Sequence, residues 1–105
     1  NTIRSAITTW GKTLSNEVAK SNITVNNILT GYFNTKRLEQ LNSEKAKNMG
    51  VKLDEVFELM KNQVPAKRIG DPKEFGYLVT FLSSDYASYI NGINIAIDGG
   101  LIKSL

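Results

Sequence analysis

Apolar residues recur at helical spacing over residues 2–20, where Ile3, Ala6, Ile7, Trp10, Leu14 and Val18 form one stripe. Gly11 weakens the middle of this helix by about 1 kcal/mol relative to alanine. Its bare backbone is expected to admit a second helix at close range. Ser21-Asn22 breaks the pattern, and asparagine suits the left-handed residue that ends a helix. Residues 23–29, ITVNNIL, carry β-formers and are expected to be a strand, interrupted by Asn26-Asn27. Thr30 to Thr35 reads as a loop. A helix over 36–48 has few apolar residues and should be exposed. A second, over 53–62, places Leu53, Val56, Phe57 and Met60 at i, i+3, i+4 and i+7, one buried stripe. Asn48-Met49-Gly50 separates the two.

Residues 64–70 read as a connector. Asp71 can cap the next helix, Pro72 takes its first position and Glu74 lies three residues after the cap. That helix is expected over 72–83 with Phe75, Leu78, Val79 and Leu82 inward. Ser83-Ser84-Asp85 ends it, and residues 86–90 form a helical turn. Asn91-Gly92 then makes a tight turn into a strand at 93–97, which leaves through Asp98-Gly99-Gly100.

Two apolar strands joined by a long helical crossover should be parallel. Parallel strands are normally covered by helices on both faces and flanked by further strands. Here one edge of the 23–29 strand has nothing in the sequence to pair with. The fold class is therefore α/β: the C-terminal part of a doubly wound parallel (Rossmann-type) sheet. Residues 1–105 are expected to be the last portion of a single larger domain, as a fragment, a truncated product or the ordered part of a longer chain. Alone, they should aggregate or remain partly unfolded.

Composition narrows the chemistry. With 105 residues, one domain is the limit. Net charge is +3 and the lysines and arginines are scattered, so a nucleic-acid partner is not expected. There is no cysteine and no histidine, which excludes disulfides, thiolate metal sites and His-dependent hydrolase triads within the chain. No metal site is expected. No apolar run approaches the ~20 residues that span a bilayer. The start lacks a signal-peptide profile, so no membrane partner and a cytoplasmic location are expected.

Two motifs carry a resemblance. "EVAKSNITVNNILTGYFNT", residues 17–35, resembles the helix–strand–loop segment of short-chain dehydrogenases/reductases. "VPAKRIGDPKEFGYLVTFLSSDYASYINGINIAIDGG", residues 64–100, resembles the C-terminal signature of the same family, with its Arg-x-Gly-x-Pro-x-Glu helix start and closing Asp-Gly-Gly. The match covers nearly the whole chain. It implies that the 93–97 strand is the seventh of the sheet, at its edge and beside the 23–29 strand. It also implies NAD or NADP in the complete protein, and hydride transfer between the nicotinamide and a small-molecule carbonyl or alcohol. A homo-oligomer, dimer or tetramer, is implied through helices 2–20 and 72–83 and strand 93–97.

The resemblance puts Arg4 at the position of the active-site lysine, with the family's tyrosine falling one residue before Asn1. Arginine supplies charge and can contact ribose hydroxyls, but it does not relay a proton. Thr30-Gly31 stands where the family has Pro-Gly. Thr30 and the backbone of Gly31, Tyr32 and Phe33 are implied to meet the cofactor near its carboxamide. Thr35 matches a threonine whose hydroxyl reaches the carboxamide or a phosphate; capping the 36–48 helix is its alternative role. Residues 36–63 match the substrate-covering segment, in which Leu38, Leu41, Met49, Phe57 and Met60 face either substrate or core. The glycine-rich first turn, the Asn-Asn-Ala-Gly strand end and the active-site serine are missing. The nucleotide-binding first half is thus absent from this sequence, and this chain alone is expected to be inactive. The alternative is a non-catalytic relative serving as a binding or oligomer-assembly module.

Overall fold

Most element boundaries follow from capping chemistry a few residues long. The computed structural model describes the backbone of residues 2–103 and the side chains of residues 5–103. It contains helices α1 (Thr2–Val18), α2 (Lys36–Met49), α3 (Leu53–Gln63) and α4 (Pro72–Leu82), with strands β1 (Asn27–Thr30) and β2 (Asn94–Ile97). Asn22 takes the left-handed conformation (φ 63°) after a short 3-10 turn that continues α1, as expected of an asparagine there. Gly50 does the same after α2 (φ 68°). At α4 the Asp71 carboxylate accepts from Lys73 N (2.9 Å), and Glu74 reaches back to Asp71 N (3.1 Å). This closes a capping box around Pro72.

The strands pair in a two-stranded sheet. Asn27 N donates to Ile93 O (2.9 Å) and Gly31 N donates to Ile97 O (3.0 Å). Both steps advance four residues in the same direction, so the strands are parallel, as the crossover required. The first strand starts later than 23–29. Val25 N donates to the Asn91 side chain (3.0 Å), and Asn26 binds both Ile90 O (3.3 Å) and Ile93 N (3.2 Å) through its amide. Side chains thus satisfy this backbone where a ladder was expected, and regular pairing begins only at Asn27. Asn27 begins the strand and Asn26 precedes it, so the asparagine pair does not interrupt it.

The chain divides into two compact units, residues 1–29 with 76–95 and residues 30–75 with 96–105. In the first, α1 buries Gly11 and Ser15, while Ile7 and Trp10 from the predicted stripe stay 52% and 64% exposed. The reason is close packing against the polar side chains of Asn27 and Asn91. A Cβ on Gly11 would lie 2.6 Å from the Asn27 side chain, so the glycine admits a strand residue, not the helix expected there. Ser15 O accepts from Asn91 Nδ2 (3.2 Å). Along α4, Leu78 and Leu82 are half-buried, but Val79, expected inward, is exposed along with Tyr77 and Phe81.

In the second unit α2 packs on α3. Val56 and Ala46 are buried, and the buried Asn42 amide donates to Met60 Sδ (3.0 Å). Ala46, Val56, Val64 and Ala87 are the buried apolar residues among those described.

Candidate functional site

The loop after β1 is pinned from two sides within the second unit. Gly31 packs against the turn after β2: a Cβ there would stand 2.6 Å from Asp98 Cβ and 2.7 Å from its Cα. Asp98 is held in turn by its own carboxylate, which accepts from Gly100 N (2.9 Å) and Ile102 N (2.7 Å). Gly99 and Gly100 have φ of 64° and 94°, so the tight exit uses glycine's freedom as expected. Gly99 O accepts from Ala66 N (3.0 Å), tying this exit to the connector before α4.

The second pin is Gly70. Phe33 and Gly70 form a parallel bridge in which Gly70 N donates to Tyr32 O (2.9 Å) and Gly70 O accepts from Asn34 N (2.9 Å). The expected loop is therefore partly paired. In such a bridge the opposing residue's own N–H and C=O face away from the partner. Phe33 thus turns one donor and one acceptor outward, and neither has a hydrogen-bond partner among the described residues. The Phe33 ring lies over Gly70, where a Cβ would come within 2.8 Å of it, and meets Phe75 edge-on at 5.9 Å.

These pins leave an open cleft of about 520 Å³ at the C-terminal end of β1. It is lined by Thr30, Gly31, Tyr32, Phe33 and Thr35, all five residues expected near a cofactor, with Leu38, Leu41 and Phe75. In open parallel sheets this end of the strands is where ligands bind. The Thr35 hydroxyl accepts from Leu38 N (3.2 Å), so it caps α2. That bond uses a lone pair and leaves the hydroxyl proton available for a ligand. The Tyr32 phenol donates to Gln63 Oε1 (3.2 Å).

Other expected positions separate. Phe57 borders a wider cleft of about 760 Å³ rimmed by Glu39, Asp54, Glu58 and Lys61. Met60 is taken by Asn42, and Met49 is half-exposed beside Val51 and Leu59. Arg4 belongs to α1, but its side chain lies outside the described residues. No group of three metal-ligating side chains occurs among the described residues, and no helix there is long and apolar enough to cross a membrane.

Gly70, Phe75 and the pair Arg68–Glu74 escaped the sequence reading as site residues. The Glu74 carboxylate binds Arg68 through two bonds (2.7 and 2.9 Å). The Arg68 guanidinium, with the Asp71 backbone N–H, lowers the Glu74 pKa to about 2. The glutamate raises that of Arg68. Their signal was the Arg-x-Gly-x-Pro-x-Glu spacing, which marks a helix start and is silent about what the glycine between them touches.

Among known proteins, the family described as enoyl-(acyl carrier protein) reductase matches residues 1–102. The NADPH-dependent reductase BacG of Bacillus subtilis is 34% identical over 103 residues, which is 98% of this chain and 40% of that protein. A crystal structure of a short-chain dehydrogenase family protein from Francisella tularensis superposes with a TM-score of 0.87 at 35% identity, covering 92% of this chain and 40% of that one. L-sorbose reductase from Gluconobacter frateurii, solved with NADPH and L-sorbose, gives 0.90 at 32% identity over all of this chain and 40% of its own. The chain thus spans about 40% of the length of these relatives. The likeness covers the α/β fold, with its parallel strands and helices in the same arrangement.

Proposed function

Because the chain belongs to the short-chain dehydrogenase/reductase family, we propose that its residues serve an NAD(P)-dependent oxidoreductase acting on a carbonyl or hydroxyl group. The observation that carries this is the cleft at the end of β1, which Phe33 lines, together with the Phe33 N–H and C=O that the bridge turns away from Gly70. A donor and an acceptor on one residue complement a primary carboxamide, which offers one of each. The cleft has room for a nicotinamide and its ribose, and the start of α2, with Thr35, suits a phosphate. When bound, the cofactor supplies or accepts the hydride.

The chain's own residues hold and orient. Thr30, Gly31, Tyr32 and Phe33 form the wall against the nicotinamide, mostly through backbone. Thr35 keeps its lone pair on Leu38 N and offers its proton to the carboxamide or a phosphate. Leu38 and Leu41 exclude water from the substrate side. Arg4, argued from sequence alone, supplies positive charge and ribose contacts at the lysine position. Residues 1–105 form the C-terminal portion of a single Rossmann-type domain, and the complete protein is a homo-oligomer. The exposed pairs Ile7–Trp10 and Tyr77–Phe81 support an assembly role for their helices. The relatives' descriptions as reductases favour chemistry over a purely non-catalytic module.

The test is a fluorescence titration of the complete polypeptide with NADPH and with NADH. Saturable binding of either is expected. No binding at about millimolar cofactor, equivalent to less than about 4 kcal/mol of affinity, removes the oxidoreductase reading.

A further inference from the structure

We propose that Arg68 and Glu74 are positioning residues for the nicotinamide end of the cofactor, acting through Gly70 on the Phe33 backbone. The inference rests on the cofactor site proposed above and adds residues that touch no cofactor themselves. It follows from a chain of linked contacts. Glu74 Oε1 accepts from both Arg68 Nη1 (2.7 Å) and Asp71 N (3.1 Å), and Oε2 accepts from Arg68 Nη2 (2.9 Å). One carboxylate therefore fastens both ends of the segment 68–71. Gly70, in the middle of that segment, grips Tyr32 O and Asn34 N at 2.9 Å each. That grip fixes the peptide planes on either side of Phe33 and sets the direction of its free N–H and C=O.

The two remaining contacts leave little slack. Phe33 lies against Gly70 with no room for a methyl group, and Phe75, next to Glu74, holds the ring edge-on at 5.9 Å and 80°. Release of the ion pair lets the segment around Gly70 drift, and Phe33 drifts with it. A bidentate guanidinium–carboxylate pair also fixes orientation, which a lysine at 68 does not reproduce. Exposed ion pairs contribute little to global stability. Their geometric effect on a neighbouring backbone does not depend on that contribution.

The prediction is selective. In the complete protein, Glu74→Gln keeps an acceptor for Asp71 N but loses the ionic fork. Arg68→Met removes the fork while leaving Glu74 free to cap α4. Each should weaken NADPH binding about tenfold, the size of one misdirected hydrogen bond. Each should leave the affinity for 2′-phospho-ADP-ribose, which has no nicotinamide, within about twofold. Gly70→Ala, which pushes on Phe33 without touching the ion pair, should give the same signature. Equal loss for NADPH and for the nicotinamide-free fragment in these variants would mean a merely structural role and overturn the proposal. Unchanged NADPH affinity in both Arg68→Met and Glu74→Gln would overturn it too. Should one variant fail to fold, the other decides by the same ratio of affinities. A wild-type protein that binds neither compound refutes the cofactor site itself, a result distinct from any pattern among the variants.

Discussion

Gly31→Ala tests the packing that shapes the cleft. Gly31 does not have a positive φ, so alanine brings no backbone strain and the effect isolates one methyl group. That methyl would sit 2.6 Å from Asp98 Cβ and 2.7 Å from its Cα. Carbon pairs rest at about 3.5–4.0 Å, so β1 and the turn after β2 must separate by about 1 Å. Neither opposing atom is the end of a flexible side chain. The Gly31 N–Ile97 O bond (3.0 Å) resists on one side, and the Asp98 carboxylate bonds to Gly100 and Ile102 resist on the other. Overpacking of this kind costs about 1–3 kcal/mol, and the rigidity of both partners places it near the upper end, about 3. In urea, with m about 2 kcal/mol/M, the unfolding midpoint of the complete protein should fall by about 1.5 M. NADPH affinity should fall with it. Gly76→Ala is the control: nothing lies within 4 Å of its Cβ position in α4, and alanine there should stabilise by about 0.5–1 kcal/mol. A Gly31→Ala midpoint within about 0.3 M of wild type would refute the reasoning.

Thr35→Val should lower stability by about 1 kcal/mol by removing the cap on Leu38 N, and Thr35→Ser should restore it in thermal melts. If the hydroxyl proton also serves the cofactor, the valine variant additionally weakens NADPH binding, and serine recovers that as well. For Glu74, the folded-state pKa of about 2 lies below the ordinary 4.5. Its contribution is therefore complete above pH 4.5 and lost as pH falls through about 2. The stability difference between wild type and Glu74→Gln should shrink across that window in acid titrations followed by circular dichroism. A difference that stays constant from pH 5 to pH 2 would show that the carboxylate makes no ionic bond in solution.

Much of this protein was legible in short stretches. Both ends of α2, at Thr35 and Gly50, and the start of α4 at the Asp71-Pro72-Glu74 box followed from capping residues, because caps act on backbone groups within one turn. The parallel strands followed from the length of the crossover, and the family from two motifs at their proper spacing. Thr30, Gly31, Tyr32, Phe33 and Thr35 were named by the resemblance; they stand within one stretch of six residues and line one cleft.

What remained hidden depended on partners far along the chain. β1 begins at Asn27 because Asn91, 66 residues after Val25, takes its N–H. Trp10 is exposed and Gly11 buried because Asn27 comes up against α1, a choice that helical periodicity does not encode. The outward aim of the Phe33 peptide groups is decided by Gly70, and Gly70 by an ion pair six residues apart. Local spacing determines which elements form, since propensity and capping are nearest-neighbour energies. Only tertiary structure decides which face is covered and which amide is left free, since those depend on contacts closed across long loops.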